Sequence, residues 1–183
     1  MKVIKSFTIM FLILTTTTWA TDFHAKQPLL ITAAGQSQDV TMVKILAQKA
    51  GLKFSFDKLA KPDQLKDHAT LVLVTGGSTK GLGAANIDKD QELERVNSLI
   101  KAAREVKMNI ITMHVGGPSR RGKLSDEFNQ VSAENADCLI IVKTGDEDHL
   151  FSKIAEGKKI PIFLIDKIIE AGDVLKEIFA EKK

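Results

Sequence analysis

The stretch TLVLVTGGSTKGLGAANID, residues 70–88, holds the pattern that decides the fold. Its first five residues are apolar or β-branched without interruption, which is typical of a strand covered by helices on both faces. A loop rich in glycine and serine follows, and Asp88 with Gln91 then makes a capping-box pattern at the start of a helix. A strand, a loop and a helix in this order predict the repeating unit of a parallel sheet.

The same order of elements recurs along the chain. Apolar runs predict further strands over residues 28–33, 53–57, 109–115, 138–142 and 160–165, with helical periodicity between most of them. Strands that alternate with helices require right-handed crossovers and a parallel sheet. We therefore predict an α/β fold, a doubly wound parallel sheet of five to six strands in a three-layer sandwich. A flavodoxin-like strand order is the first choice and a Rossmann-like order the second.

Helical spacing also predicts which side chains the helices bury. The stripe of the helix that begins near Asp88 extends to Val106. The last helix, residues 166–180, is predicted to bury Ile169 and to break at Gly172.

The first 20 residues indicate a secretory signal peptide. Lys2 and Lys5 precede an apolar run, residues 7–14, that is shorter than the roughly 20 residues of a membrane span. We expect cleavage after Ala20, which leaves residues 21–183 as a single α/β domain in the periplasm or secreted, with no stable membrane insertion. The alternative is an uncleaved signal anchor.

Composition narrows the classes of partner. The formal net charge of +3 includes Lys2 and Lys5, so the mature chain is near neutral, which argues against nucleic acid or a membrane surface as partner. The single cysteine, Cys138, lies in an apolar run and is predicted to be a buried thiol. The chain has no Tyr, and its one Trp, Trp19, lies in the signal.

Four loops follow predicted strands and define the candidate site, because ligands of open parallel sheets bind beyond the carboxyl ends of the strands. These loops span residues 33–39, 75–88, 114–126 and 143–149. Their backbone N–H groups, hydroxyls and basic side chains suit an anion. The candidate ligand-binding residues are Gly35, Gln36, Ser37, Gly76, Gly77, Ser78, Lys80, Gly116, Gly117, Ser119, Arg120 and Arg121.

A plainer interpretation is that these glycines only permit tight strand-to-helix turns. Residues 75–88 favour a site, because that loop exceeds the roughly two to six residues usual for such connections. The pair Arg120 and Arg121 has three interpretations: a clamp for an anion, a solvated turn, or a charged patch for a partner protein.

The motifs indicate neither a cofactor nor a metal. The GGSTKGLG segment matches neither the Walker pattern nor the dinucleotide fingerprint. The loop at Gly35 resembles the phosphate loop of flavodoxins in position, but the mature chain has no Trp or Tyr to stack on a flavin. The histidines are not in metal-ligand spacing with Asp or Glu.

At three of these loops the chain resembles a family of bacterial secreted proteins described only as a domain of unknown function. The matching motifs are GQS at residues 35–37, GGSxKGLGA at residues 76–84 and GGxxRRG at residues 116–122. The resemblance implies an extracytoplasmic location and the α/β fold, and it implies no particular activity.

Three hypotheses of function follow. The first is an extracytoplasmic binding or accessory protein that holds a small polar, anionic ligand between the Gln36 and Ser78 loops, with the Arg120 loop closing over it. The second is a hydrolase or transferase that uses Ser37 or Ser78 with His114. The third is an interaction module for a protein partner in an envelope transport system.

Overall fold

Strands and helices alternate along the chain in the computed structural model, which describes residues 23–180. The strands are β1 Leu29–Ala34, β2 Phe54–Phe56, β3 Thr70–Thr75, β4 Asn109–His114, β5 Cys138–Val142 and β6 Ile162–Ile165. The α-helices are α1 Asp39–Lys49, α2 Thr79–Ala84, α3 Lys89–Glu105, α4 Lys123–Glu134, α5 Leu150–Lys158 and α6 Ala171–Ile178. Short 3-10 turns lie at Pro62–Leu65, Gly117–Arg120, Lys143–Gly145 and Ile168–Glu170.

The six strands form one parallel sheet in the order β2-β1-β3-β4-β5-β6. This is the flavodoxin-like order with β6 added beside β5, so the first choice of strand order is confirmed. The order reverses between β1 and β3, because the chain leaves β1 toward β2 on one side and leaves β3 toward β4 on the other.

Helices cover both faces of the sheet, as the continuous apolar strands require. One face packs against α1 and α6 in a single core that includes Val40, Leu46, Leu175 and Ile178. The other face packs against α3 through Val96 and Leu99 and against α5 through Phe151. The predicted doubly wound three-layer sandwich is therefore confirmed.

Residues 75–88 contain a helix that the sequence analysis did not predict. The hydroxyl oxygen of Ser78 accepts a hydrogen bond from the Gly81 N–H at 3.0 Å and begins α2, Thr79–Ala84. Glycines at positions 81 and 83 hid this turn, because glycine is a poor helix former. Much of the unusual length of the loop is therefore regular structure.

Two predicted core positions and one predicted helix break are wrong. Val106 is 66% exposed and Ile169 is 57% exposed, because each lies where its helix ends or begins rather than over the sheet. Gly172 lies inside α6, and the interruption comes earlier, at the 3-10 turn Ile168–Glu170.

Several local predictions are confirmed. Asp88 and Gln91 form the capping box of α3, and the Cys138 thiol is buried. Burial raises the pKa of this thiol well above its usual range. The predicted signal peptide lies outside the described residues. Within residues 23–180 no helix has the length and apolarity to span a membrane.

Two valines of α3 test the assignment of its buried face. Val96→Ala is expected to lower the free energy of unfolding by about 1.5–3 kcal/mol, since Val96 is fully buried. Val106→Ala, the matched control, is expected to change it by no more than about 0.5 kcal/mol. Urea unfolding of both variants measures the difference, and equal losses would contradict the observed end of the helix.

Candidate functional site

The candidate site lies where the carboxyl ends of β1, β3 and β4 meet. The point at which the strand order reverses falls between β1 and β3. The segments that follow these strands carry all the predicted site residues. The contacts between these segments show which of the predicted residues lie together.

The loops after β1 and β3 lie in direct contact. Gln36 and Gly77 form an isolated antiparallel bridge, and the Ser78 N–H donates to the Gly35 carbonyl at 2.9 Å. Gly35 has φ +101°, and a Cβ there would lie 2.7 Å from the Gly76 carbonyl oxygen. The space between the Gln36 and Ser78 loops is therefore occupied by the protein's own backbone.

A buried ion pair fixes the loop after β1. The Glu92 carboxylate, fully buried at the start of α3, accepts hydrogen bonds from the Gly35 N–H at 2.9 Å and from Gln36 Nε2 at 3.0 Å. Arg95 donates to the same carboxylate from Nε and Nη2, at 2.7 and 2.8 Å. Arg95 also donates to the carbonyl oxygens of Ala33 and Ala60. The Glu92 carboxylate thus accepts three hydrogen bonds at Oε1 and one at Oε2.

Arg120 lies over the point of strand reversal and joins three loops. Its Nε donates to Asp39 Oδ2 at 2.9 Å, and the same oxygen accepts from Ser37 Oγ at 2.9 Å. Its aliphatic carbons rest on Gly76, where a Cβ would lie 3.1 Å from Arg120 Cβ, and on Gly116, where a Cβ would overlap Arg120 Cγ. The Arg120 side chain is therefore held in place both at its aliphatic carbons and at its guanidinium.

The two terminal nitrogens of Arg120 have no hydrogen-bond partner within residues 23–180. The only hydrogen bond and the only ion pair of its side chain there are those between Nε and Asp39, and its backbone carbonyl accepts from Asn129 Nδ2. The side chain is 25% exposed, so this end of the guanidinium faces solvent at the edge of the sheet.

Arg121 is used differently from its neighbour. Its Nε donates to Asp126 at 2.7 Å, and its terminal nitrogens donate to both carboxylate oxygens of Asp148 at 2.8 Å and to the Gly145 carbonyl at 2.6 Å. The Arg121 guanidinium holds the pKa of Asp148 well below its usual range. Arg121 therefore ties the segment after β4 to the segment after β5.

His114 is the last residue of β4 and is fully buried. Its Nε2 lies 3.2 Å from the Gly117 carbonyl oxygen, to which it donates, and its Nδ1 makes no hydrogen bond with the described part of the chain. The ring packs against Phe151 with centroids 4.9 Å apart. Burial lowers the pKa of His114, and the positive charge of Arg121 acts in the same direction.

The serine–histidine arrangement considered from the sequence does not form among the described residues. Ser37 Oγ bonds to Asp39, Ser78 Oγ caps α2, and the His114 ring bonds only to Gly117. Within the same residues no group of three His, Cys, Asp or Glu side chains has the arrangement of a metal site.

The other predicted site residues do not share one set of contacts. The hydroxyl of Ser119 donates to the Gly116 carbonyl at 2.8 Å on the exposed side of the turn. The Gly77 N–H donates to Ser125 Oγ at 3.0 Å and is buried. Lys80 is exposed on α2 and takes part in no ion pair within residues 23–180.

Two residues of this edge were missed from the sequence as parts of the site. Glu92 lies on the buried stripe of α3 with Val96 and Leu99, and a charged residue in an apolar stripe is a signal that could have identified it. Asp39 is not among the predicted site residues, and no local pattern relates it to Arg120, 81 residues later.

The fold and this edge define a flavodoxin-like α/β protein with a cluster of polar and charged side chains at the point of strand reversal. The sequence matches the model of a family described as "Domain of unknown function (DUF6305)" over residues 26–179. The chain belongs to this family.

The chain has only weak similarity to individual proteins. No curated protein gives a significant match. A GDSL-like lipase from Bacteroides thetaiotaomicron VPI-5482 aligns at 14% identity with a TM-score of 0.35, over 73% of this chain and 65% of the lipase chain, which is less than two thirds of it. The SGNH-hydrolase family esterase AlinE4 aligns at 10% identity with a TM-score of 0.31, over 88% of this chain and 85% of that one. At these TM-scores neither likeness bears on the fold or the activity of this chain.

Removal of the Glu92 carboxylate tests its role in this edge. Glu92→Ala is expected to cost about 3–5 kcal/mol in unfolding free energy, because it leaves Arg95 buried without its partner. Glu94→Ala, at an exposed position of the same helix, is the control and is expected to cost no more than about 0.5 kcal/mol. Chemical unfolding measures both, and a loss below about 1 kcal/mol for Glu92→Ala would contradict the role.

Proposed function

We propose that the protein is an extracytoplasmic binding or accessory protein that holds a small anionic ligand at the C-terminal edge of its sheet, on the guanidinium of Arg120. The observation that carries the proposal is that this side chain is fixed by Asp39 and two glycines, while both its terminal nitrogens have no partner within residues 23–180. The extracytoplasmic location rests on the signal-like first 20 residues.

A guanidinium held in this way suits ligand binding for an energetic reason. An arginine that must be ordered on binding loses side-chain entropy, which lowers the affinity. Arg120 is already ordered by its contacts with Asp39, Gly76 and Gly116. Its terminal nitrogens therefore offer a preformed fork with four N–H donors.

The shape of the fork favours a carboxylate or another planar oxyanion. With Nε bound to Asp39, the remaining approach is end-on to the two terminal nitrogens, where a carboxylate can accept two parallel hydrogen bonds. The ligand in this proposal lies above the Arg120 turn, since the loops after β1 and β3 fill the space beneath it.

A titration series tests the proposal. Phosphate, sulfate, acetate and succinate are added separately to the protein, and binding is followed by calorimetry and by thermal shift. We expect at least one carboxylate to bind, and we expect Arg120→Gln to weaken it at least tenfold, because loss of a charge-assisted hydrogen-bond pair costs about 1.5–3 kcal/mol.

Lys123→Gln is the matched control, since it removes one positive charge from an exposed position three residues away. It is expected to change the affinity less than threefold. Equal weakening by both substitutions would indicate only general charge attraction, and absence of binding by all four anions would overturn the proposal.

A further inference from the structure

Two surface segments cover the His114 ring. The turn that contains Gly117 is bonded to Nε2. The segment after β5 lies against the same end of the ring, where a Cβ on Gly145 would be 2.5 Å from Nε2 and 3.3 Å from the Gly117 Cα. Arg121 joins the two segments through the Gly145 carbonyl and Asp148.

The site under these segments is suited to a neutral ring only. Nε2 donates to a carbonyl, so the neutral ring carries its lone pair on Nδ1, and within residues 23–180 that buried atom makes no hydrogen bond. The Asn129 side chain near the ring raises the pKa of His114, but burial lowers it more, and Asn129 Oδ1 already accepts from Thr75 Oγ1. A second proton on Nδ1 would therefore place a charge in a buried site that does not compensate it, which is costly.

The charged groups around the ring do not offset this cost. Arg121, on the turn after β4, repels a charged imidazole. Asp39 on α1 attracts it, but this carboxylate already accepts from Arg120 and Ser37. Asp126 on α4 and Asp148 after β5 are both bonded to Arg121. Asp146 caps α5 through the Phe151 N–H at 2.7 Å.

We infer that His114 is a proton-operated latch: its protonation opens the segments at residues 116–122 and 143–148 and so displaces Arg120 from its binding position. The link to Arg120 is direct, since Arg120 ends the same 3-10 turn that begins at Gly117. The part of the inference that concerns ligand release rests on the proposed function, whereas the opening itself does not.

The sign of the pH dependence follows from linkage. The pKa of His114 is lowered from its ordinary 6.5 in the closed protein, whereas an opened, solvated ring would regain a value near 6.5. The closed state is therefore fully favoured above pH 6.5, and the advantage falls as the pH decreases from there toward the lowered value. In that interval the opening equilibrium rises by up to about tenfold per pH unit, the limit for uptake of one proton.

Hydrogen exchange of single amides measures this opening without any ligand. The Arg121 and Asp146 amides bond to the carbonyl oxygens of Pro118 and Lys143, so both report on the covering segments. After correction for intrinsic exchange, we expect their protection to fall at least fivefold between pH 7 and pH 5.5. We expect the amide of Met108, at the opposite edge of the sheet, to keep its protection.

Two substitutions separate His114 from the other histidines. His114→Gln retains a donor for the Gly117 carbonyl and is expected to abolish the pH dependence. His149→Asn, the control, removes the exposed histidine that directly follows the second segment, at a positive φ that asparagine tolerates, and it should leave the dependence intact. If the dependence persists in His114→Gln, the latch is wrong.

A second measurement covers the case in which His114→Gln does not fold. NMR titration of the unaltered protein gives the pKa of each of the four histidines. A His114 pKa equal to or above that of the more exposed His68 would overturn the latch.

Succinate affinity at pH 7 and 5.5 then tests the link to the ligand. If succinate does not bind at pH 7, the proposed function fails while the exchange data still decide the latch. If succinate binds equally at both values while protection falls, the latch does not control the ligand.

Discussion

The carboxylate of Glu92 is the constraint on which the candidate site depends. It is fully buried, and it accepts four hydrogen bonds, from Gly35, Gln36 and twice from Arg95. A buried carboxylate with fewer donors would cost several kcal/mol in desolvation. Because Arg95 also reaches the end of β1 through the Ala33 carbonyl, the pair fixes the loop after β1 relative to α3.

A chain of contacts extends from this loop to the solvent. With the loop after β1 held by Glu92, its Gly35 and Gln36 pack on the loop after β3. Asp39 follows at the start of α1 and orients the Arg120 guanidinium. The position of Arg120 at the surface thus depends on the Glu92–Arg95 ion pair through the loop after β1 and Asp39, whereas the side-chain nitrogens of Arg121 all bond to other residues of the protein.

The strands and most helices could be predicted, because their signals are local, whereas the flavodoxin-like strand order was only the first of two choices. Continuous apolar runs identified the strands, and the capping box at Asp88 identified the start of α3. Glycines within α2 concealed a helix, and helical periodicity could not show that Val106 lies beyond the sheet. The predicted site residues lie together at one edge. The sequence could not distinguish Arg120 from Arg121, because Asp39, which binds Arg120, is 81 residues away and Asp148, which binds Arg121, is 27 residues away.

Mass spectrometry of the native protein is the most direct test of whether Arg120 holds a small anion. The protein is purified from its own cells under mild conditions and sprayed intact beside the Arg120→Gln variant prepared in the same way. We expect a small anion bound to the unaltered protein and lost from the variant. The same anion on both proteins, or no bound molecule on either while the titrations also fail, would contradict it.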